Sequence, residues 1–304
     1  MIDRIINIKN IKKSDTVILS VPYENSVSFM GGTAKGPKKI INCLDNNLEL
    51  FDVELHCEPA KILKTTHREI SGLKKLAPEK AVKKISSEYQ KLFNAGKFMI
   101  MLGGEHTVSF GALEAIAKIG NQKASPVGLR PRDITILQID AHQDLRNNNS
   151  DYSENHEKFA HSCTMRRIHE LGFPIVQVGI RTYSKYEYEY WQKNKKTITV
   201  FEWNKKQISI SEILKSIKTK KIYITVDADG FDPAYMPGTG TPVQGGLEWY
   251  YGLNLIQKVI NEKELIGADI VEVSPQRDSV LTEFGAALIC YKIMTHKFKK
   301  KLVP

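Results

Sequence analysis

Residues 134–144 read Ile-Thr-Ile-Leu-Gln-Ile-Asp-Ala-His-Gln-Asp. The first six, four of them β-branched, have the character of a buried strand, and the strand ends abruptly in carboxylates and an imidazole. Two other segments share this construction. Residues 98–102 run into Gly103-Gly104-Glu105-His106-Thr107, and residues 222–226 run into Asp227-Ala228-Asp229-Gly230-Phe231-Asp232-Pro233. On an extended segment, side chains two apart point to one side, so Asp140, His142 and Asp144 are expected to converge, as are Asp227 and Asp229.

Further apolar runs at 17–21, 175–178, 198–201 and 266–273 read as strands. Between them, apolar residues recur every three or four positions at 79–94, 109–118, 161–171, 211–218, 247–260 and 282–294, which reads as helices. Alternation of strand and helix predicts an α/β fold with a mainly parallel central sheet covered on both faces. In such sheets ligands collect at the carboxyl ends of the strands, where the three acidic motifs lie. The 304 residues contain no fixed-period repeat and no long Gly, Ser or Pro-rich linker, so one domain over 1–304 is expected. The segments 120–133 and 147–157 read as surface loops.

Four carboxylates gathered at neutral pH repel one another and have raised pKa values unless cations neutralise them. A metal cluster removes that conflict, and oxygen-rich ligation with two imidazoles suits Mn²⁺ better than a thiolate-dominated zinc site, with iron, nickel, cobalt and zinc left open by ligand type alone. Alone, each motif has a plainer reading: His106 as a turn histidine, residues 140–144 as a solvated strand end, residues 227–232 as a calcium loop. Phe231 stands where a calcium loop needs an oxygen ligand, which argues against the last. Other templates fail on spacing: His156 and His161 are five apart and make no HExxH, there is no GxSxG, and Gly238-Thr239-Gly240 lacks the third dinucleotide-binding glycine.

The 44 Lys and Arg outnumber 34 Asp and Glu, giving a net charge of +10. That balance invites a nucleic-acid reading, but Lys74, Lys75, Lys80, Lys83, Lys84, Lys193, Lys195, Lys196, Lys218, Lys220, Lys221 and the tail from Lys297 to Lys301 fall in amphipathic helices and turns, with no nucleic-acid-binding signature beside them. No nucleic-acid partner is expected. Cys43, Cys57, Cys163 and Cys290 are widely spaced and read as free thiols. No apolar run reaches the roughly 20 residues of a membrane span, and a cytoplasmic protein without a membrane partner is expected.

GGEHT at 103–107, DAHQD at 140–144 and TVDADGFDPAYMPGTGTPVQGG at 225–246 together resemble the three signatures of the ureohydrolases, the family of arginase and agmatinase, in order and separation. The resemblance covers about residues 16–295. It implies a three-layer α/β/α arginase-like fold and two Mn²⁺ ions per chain. One metal would be held by His106, Asp140, Asp144 and Asp227, the other by Asp140, His142, Asp227 and Asp229. Such a pair lowers the pKa of a shared water, which would attack a guanidinium carbon to give urea and a primary amine. Asp144 would pass a proton to the departing amine, Glu272 would bind the guanidinium, and His161 would shuttle protons or touch substrate. A homotrimer or homohexamer is also implied.

Within the family, Pro22 to Ser28, Gly36 to Ile40, His161 to Arg167 and Glu272 to Pro275 are most similar to agmatinases. The expectation is hydrolysis of agmatine to putrescine and urea. The loop 147–158 departs from the agmatinase pattern, as do Gln143 and Val243, which leaves the substrate tail open to arginine, guanidinobutyrate, aminopropylagmatine or formiminoglutamate. A metal-dependent deacetylase on the same fold, or a non-enzymatic polycation, are the alternatives from other classes. Cys163 is expected to be a small buried residue, and Trp249, Tyr250 and Tyr251 to serve core or subunit contact.

Overall fold

The computed structural model describes residues 4–121, 129–154, 156–204 and 208–303. Eight strands form one sheet: β1 (Thr16–Val21), β2 (Thr65–Glu69), β3 (Phe98–Gly103), β4 (Ile134–Ile139), β5 (Ile175–Ile180), β6 (Ile198–Glu202), β7 (Lys221–Asp227) and β8 (Glu264–Val271). Their order is β2-β1-β3-β8-β7-β4-β5-β6, and every pairing is parallel. Among the described residues, ten helices accompany them: α1 (Gly36–Asn46), α2 (Pro59–Ile62), α3 (Pro78–Asn94), α4 (Thr107–Gly120), α5 (Thr164–Glu170), α6 (Lys185–Lys193), α7 (Ile210–Ser216), α8 (Trp249–Glu262), α9 (Leu281–Lys297) and α10 (Lys299–Leu302).

Neighbouring strand residues feed opposite cores, as the two-residue period requires. Ile18, Ile100 and Ile224 join Ile40, Ile213, Ile256 and Ile289 from α1, α7, α8 and α9. Val17, Leu19, Met99 and Met101 join Val82, Leu113 and Met165 from α3, α4 and α5. The result is a three-layer α/β/α arrangement, as expected. No helix among the described residues is long and apolar enough to cross a membrane.

The structure adds elements that periodicity missed. Strand β2, Thr-Thr-His-Arg-Glu, lies at the sheet edge beside β1, where one side meets solvent and an apolar run is not needed. Helix α1 carries Pro37 at its second position, where its missing N–H costs no hydrogen bond, and buries only Ile40 and Leu44 besides that start. Helix α6 begins with a capping box between Ser184 and Glu187. Half of the expected loop at 120–133 (122–128) lies outside the described residues.

The singled-out lysines stand mainly on solvated faces: Lys74, Lys75, Lys80, Lys83, Lys84, Lys193, Lys195, Lys196, Lys218 and Lys220 are exposed. All four cysteines are free, with Cys163 and Cys290 buried. In the aromatic run, Tyr251 is buried and donates to the carbonyl of Ile208, while Tyr250 is exposed.

Candidate metal centre and substrate pocket

The sheet order sets β3, β8, β7 and β4 side by side, so motifs far apart in sequence emerge at one edge. His106 follows β3, Asp140 to Asp144 follow β4, Asp227 ends β7 and Glu272 follows β8. Burial here is nearly complete: His106 and Asp140 are 0% exposed, Asp144 5%, Asp227 3% and Asp229 2%.

Simple strand alternation does not bring these groups together. Strand β4 stops at Ile139, and Asp144 turns inward through a left-handed backbone with φ 53°. Strand β7 gives way to a 3-10 turn at Ala228–Gly230, held by the Asp229 N–H donating to Asp227 Oδ1 at 2.9 Å. Glu272 has φ 57° and is held by its own N–H to the Gly104 carbonyl. Left-handed conformations in non-glycine residues are costly and concentrate at functional sites. Two of the three such residues among those described are in this site.

His106 Nδ1 lies 3.2 Å from Asp140 Oδ2, 3.0 Å from Asp144 Oδ2 and 3.3 Å from Asp227 Oδ2. Despite these approaches it is a buried atom with no hydrogen-bond partner. His142 Nδ1 lies 3.0 Å from Asp229 Oδ2 and 3.6 Å from Asp140 Oδ1. Two groups result, His106-Asp140-Asp144 and Asp140-His142-Asp229, each with donor atoms within 4.8 Å of one another and with Asp140 common to both. An orphaned imidazole nitrogen facing carboxylates, and two donor sets joined through one carboxylate, fit a pair of divalent cations.

The carboxyls of the cluster differ: although burial opposes it, His106 and His142 hold Asp140 below its ordinary range, while two others are raised. Burial, then the charges of Asp229 and Asp140, push the Asp227 carboxyl well above its ordinary range. Burial and Asp140 raise Asp144 as well. Glu272 is raised by burial and by Glu105.

The comparison that decides the family is a match of residues 14–296 to the Arginase family. The chain belongs to the arginase family. It is 34% identical over 286 residues to the N(1)-aminopropylagmatine ureohydrolase of Synechocystis, covering 91% of this chain and 87% of that protein. It is 31% identical over 270 residues to the agmatinase of Bacillus anthracis, covering 88% and 86%. Among solved structures, the agmatine ureohydrolase of Thermoplasma volcanium superposes with a TM-score of 0.81 at 25% identity, over 99% of this chain and 97% of that one. This member of the arginase family is therefore a ureohydrolase.

Beside the two donor groups lies a pocket of about 250 Å³, lined by Glu272, His161, Tyr152, Arg146 and Ser28 as well as His142, Asp144, Asp227 and Asp229. Glu272 Oε1 accepts from the His106 N–H at 2.7 Å, which fixes the carboxylate beside the donor groups. His161 Nδ1 contacts Ser26 Oγ at 3.1 Å and Nε2 contacts Ser28 Oγ at 3.3 Å. Burial pulls its pKa down to about 4.

Several residues that shape the pocket were given no role by the motifs. Buried Glu105 takes the N–H groups of Asn25 and Ser26 and so holds the segment carrying Ser26 and Ser28 against His161. The expected loop 147–158 folds back through Asn149, whose Oδ1 accepts from the Glu157 N–H, and this sets Tyr152 over the pocket with its hydroxyl 2.6 Å from Ser162 Oγ. Glu187, the capping-box partner of Ser184, also accepts from the Leu145 N–H behind Asp144. Neither Trp249 nor Tyr250 nor Tyr251 lines the pocket.

Proposed function

We propose that the chain hydrolyses the guanidino group of an amine-tailed guanidine, with two Mn²⁺ ions held by His106, Asp140, Asp144, His142, Asp227 and Asp229. The observation that carries this reading is the sharing of Asp140 between two His/Asp groups, with Glu272 facing the same pocket. A dinuclear Mn²⁺ centre supplies a water whose pKa is lowered to near neutrality.

The chain's own residues do the rest. Glu272 can take paired N–H groups from a planar guanidinium and set its carbon beside the donor groups. Water oxygen becomes bonded to that carbon, the bond from carbon to the tail nitrogen breaks, and the leaving nitrogen takes a proton. Asp144, buried against His106 and lining the pocket, is placed to carry that proton. His161 is neutral at pH 7 and offers a hydrogen-bonding imidazole at the pocket wall. Urea and a primary amine are the products.

For the tail, we infer N(1)-aminopropylagmatine ahead of agmatine. The 34% identical Synechocystis relative bears that name, and an outer cavity of about 530 Å³ adjoins the pocket across Arg146. Agmatine is the second reading, favoured by the Bacillus anthracis relative. The test is urea release by Mn²⁺-loaded protein from N(1)-aminopropylagmatine, agmatine, arginine and 4-guanidinobutyrate. Urea from none of them sinks the enzymatic reading, and urea from arginine alone makes the protein an arginase.

A further inference from the structure

We propose that Asp269, remote from the pocket, is a positioning residue that dictates which nitrogen of His106 carries its proton and so makes His106 a metal ligand. The proposal rests on the dinuclear reading above. Asp269 lies in β8, is 0% exposed, and belongs to neither donor group. A carboxylate in so dry a place needs a reason, because burying one is costly unless donors surround it.

The donors are hydroxyls. Tyr223 donates to Asp269 Oδ2 at 2.8 Å, and Thr225 donates to Asp269 Oδ1 at 2.5 Å. Both Asp269 oxygens accept here, and a threonine hydroxyl has a single hydrogen. That hydrogen is committed to Asp269. Thr225 Oγ1 also lies 2.9 Å from His106 Nε2, and toward it the oxygen can only accept. Nε2 therefore carries the imidazole proton.

A neutral imidazole has one N–H, so Nδ1 is left as a bare lone pair. It faces Asp140, Asp144 and Asp227 at 3.2, 3.0 and 3.3 Å, with no hydrogen bond to any of them. Two acceptors face to face make sense around a cation. Replacing Asp269 by Asn lets its amide donate to Thr225, frees the threonine hydrogen to turn toward Nε2, and moves the imidazole proton to Nδ1. In that tautomer His106 cannot coordinate.

The relay reaches His106 alone, whereas His142 belongs to the other group. Calorimetric titration with Mn²⁺ on full-length protein, after thermal melts show that each variant is folded, separates the two. Thr225→Val and Asp269→Asn are expected to weaken one of two Mn²⁺ equivalents by roughly 10 to 100-fold and leave the other unchanged. Thr225→Ser keeps the hydroxyl and is expected to retain both. In Zn²⁺-loaded wild type with ¹⁵N-labelled histidine, the His106 proton is expected on Nε2, a measurement that needs no variant. A proton on Nδ1, two unchanged equivalents in Thr225→Val, or equal weakening of both would overturn the relay while leaving the metal reading in place. A wild type that binds no Mn²⁺ overturns both.

Discussion

Ser26 and His161, 135 residues apart, grip each other twice through one oxygen: the His161 N–H donates to Ser26 Oγ at 2.9 Å, and His161 Nδ1 lies 3.1 Å from the same atom. Since Ser26 Oγ already accepts, its own hydrogen is available to Nδ1, and the imidazole then presents Nε2–H. Ser26 itself is fastened by Glu105.

Ser26→Ala should therefore release the ring without unfolding the chain. The expected result is a KM for the guanidino substrate raised about tenfold, equivalent to about 1.4 kcal/mol, with a nearly unchanged melting temperature. Steady-state kinetics and a thermal melt check it. An unchanged KM would show that the ring is held by other contacts.

Because His161 titrates near 4, the folded form stays neutral while the unfolded chain gains a proton below about 6.5. The unfolded state binds more protons between those values, so stability contributed by a neutral His161 falls as pH drops from about 6.5 to 4. His161→Asn should flatten that part of the stability profile, measured by urea unfolding at several pH values. Identical slopes in wild type and variant would exclude a neutral buried imidazole.

Asp140 is common to both donor groups, whereas His142 belongs to one. After Mn²⁺ loading and desalting, Asp140→Ala should retain little metal and His142→Ala about one equivalent less than wild type. Equal metal content in both variants would remove Asp140 from its shared position.

Arg146 lines both the pocket and the outer cavity, reaching Asp151 with one guanidinium nitrogen and lying 3.6 Å from Glu187 with another. If the substrate tail crosses here, Arg146→Ala should raise kcat/KM for N(1)-aminopropylagmatine relative to agmatine by about fivefold or more, roughly 1 kcal/mol. A ratio that does not move places the tail elsewhere.

Away from the site, Lys292 on α9 meets Asp52 at 2.9 Å, with both side chains nearly fully buried. Burial alone would raise the Asp52 pKa, but the Leu55 N–H and the Lys292 ammonium outweigh it and hold the carboxyl below its usual value. Asp52→Asn strands the ammonium beside Glu54 only, and should cost about 3 kcal/mol in urea unfolding at pH 7. A depressed carboxyl pKa contributes stability above the unfolded value of about 3.9 and loses it as pH falls through the folded value, so the difference should shrink below pH 4. A constant difference down to pH 2 would contradict the assignment.

The chemistry at the strand ends was legible because function required unusual residues there. His106, Asp140, His142, Asp144, Asp227 and Asp229 stand out against apolar strands, and Glu272 and His161 followed from the family signatures. The parts that escaped notice use ordinary residues in tertiary roles. Thr225 sits inside a strand and looks like a β-former, and Asp269 looks like a strand polar residue, until β7 and β8 are paired. Ser28 and Tyr152 line the pocket because Glu105 and Asn149 hold distant loops against it. Even the metal-binding motifs concealed their geometry: the turn after Asp227 and the left-handed Asp144 are not foreseeable from two-residue alternation. Strand β2 was missed because edge position relaxes the demand for apolar residues.

The order of strands also dictates when the centre can exist. Strands β3 and β4 are consecutive in the chain, yet β8 and β7 separate them in the sheet, a gap of roughly 14 Å at about 4.8 Å per strand. A nascent chain that has reached residue 200 already holds His106 and the Asp140 to Asp144 carboxylates, but on two strand groups with nothing between them. The last two strands must wedge into the middle of the sheet before His106 and Asp140 can meet. Contacts this distant are intrinsically slow to form. A chain truncated before β7 would lack not just Asp227 and Asp229 but the spacer that aligns His106 with Asp140.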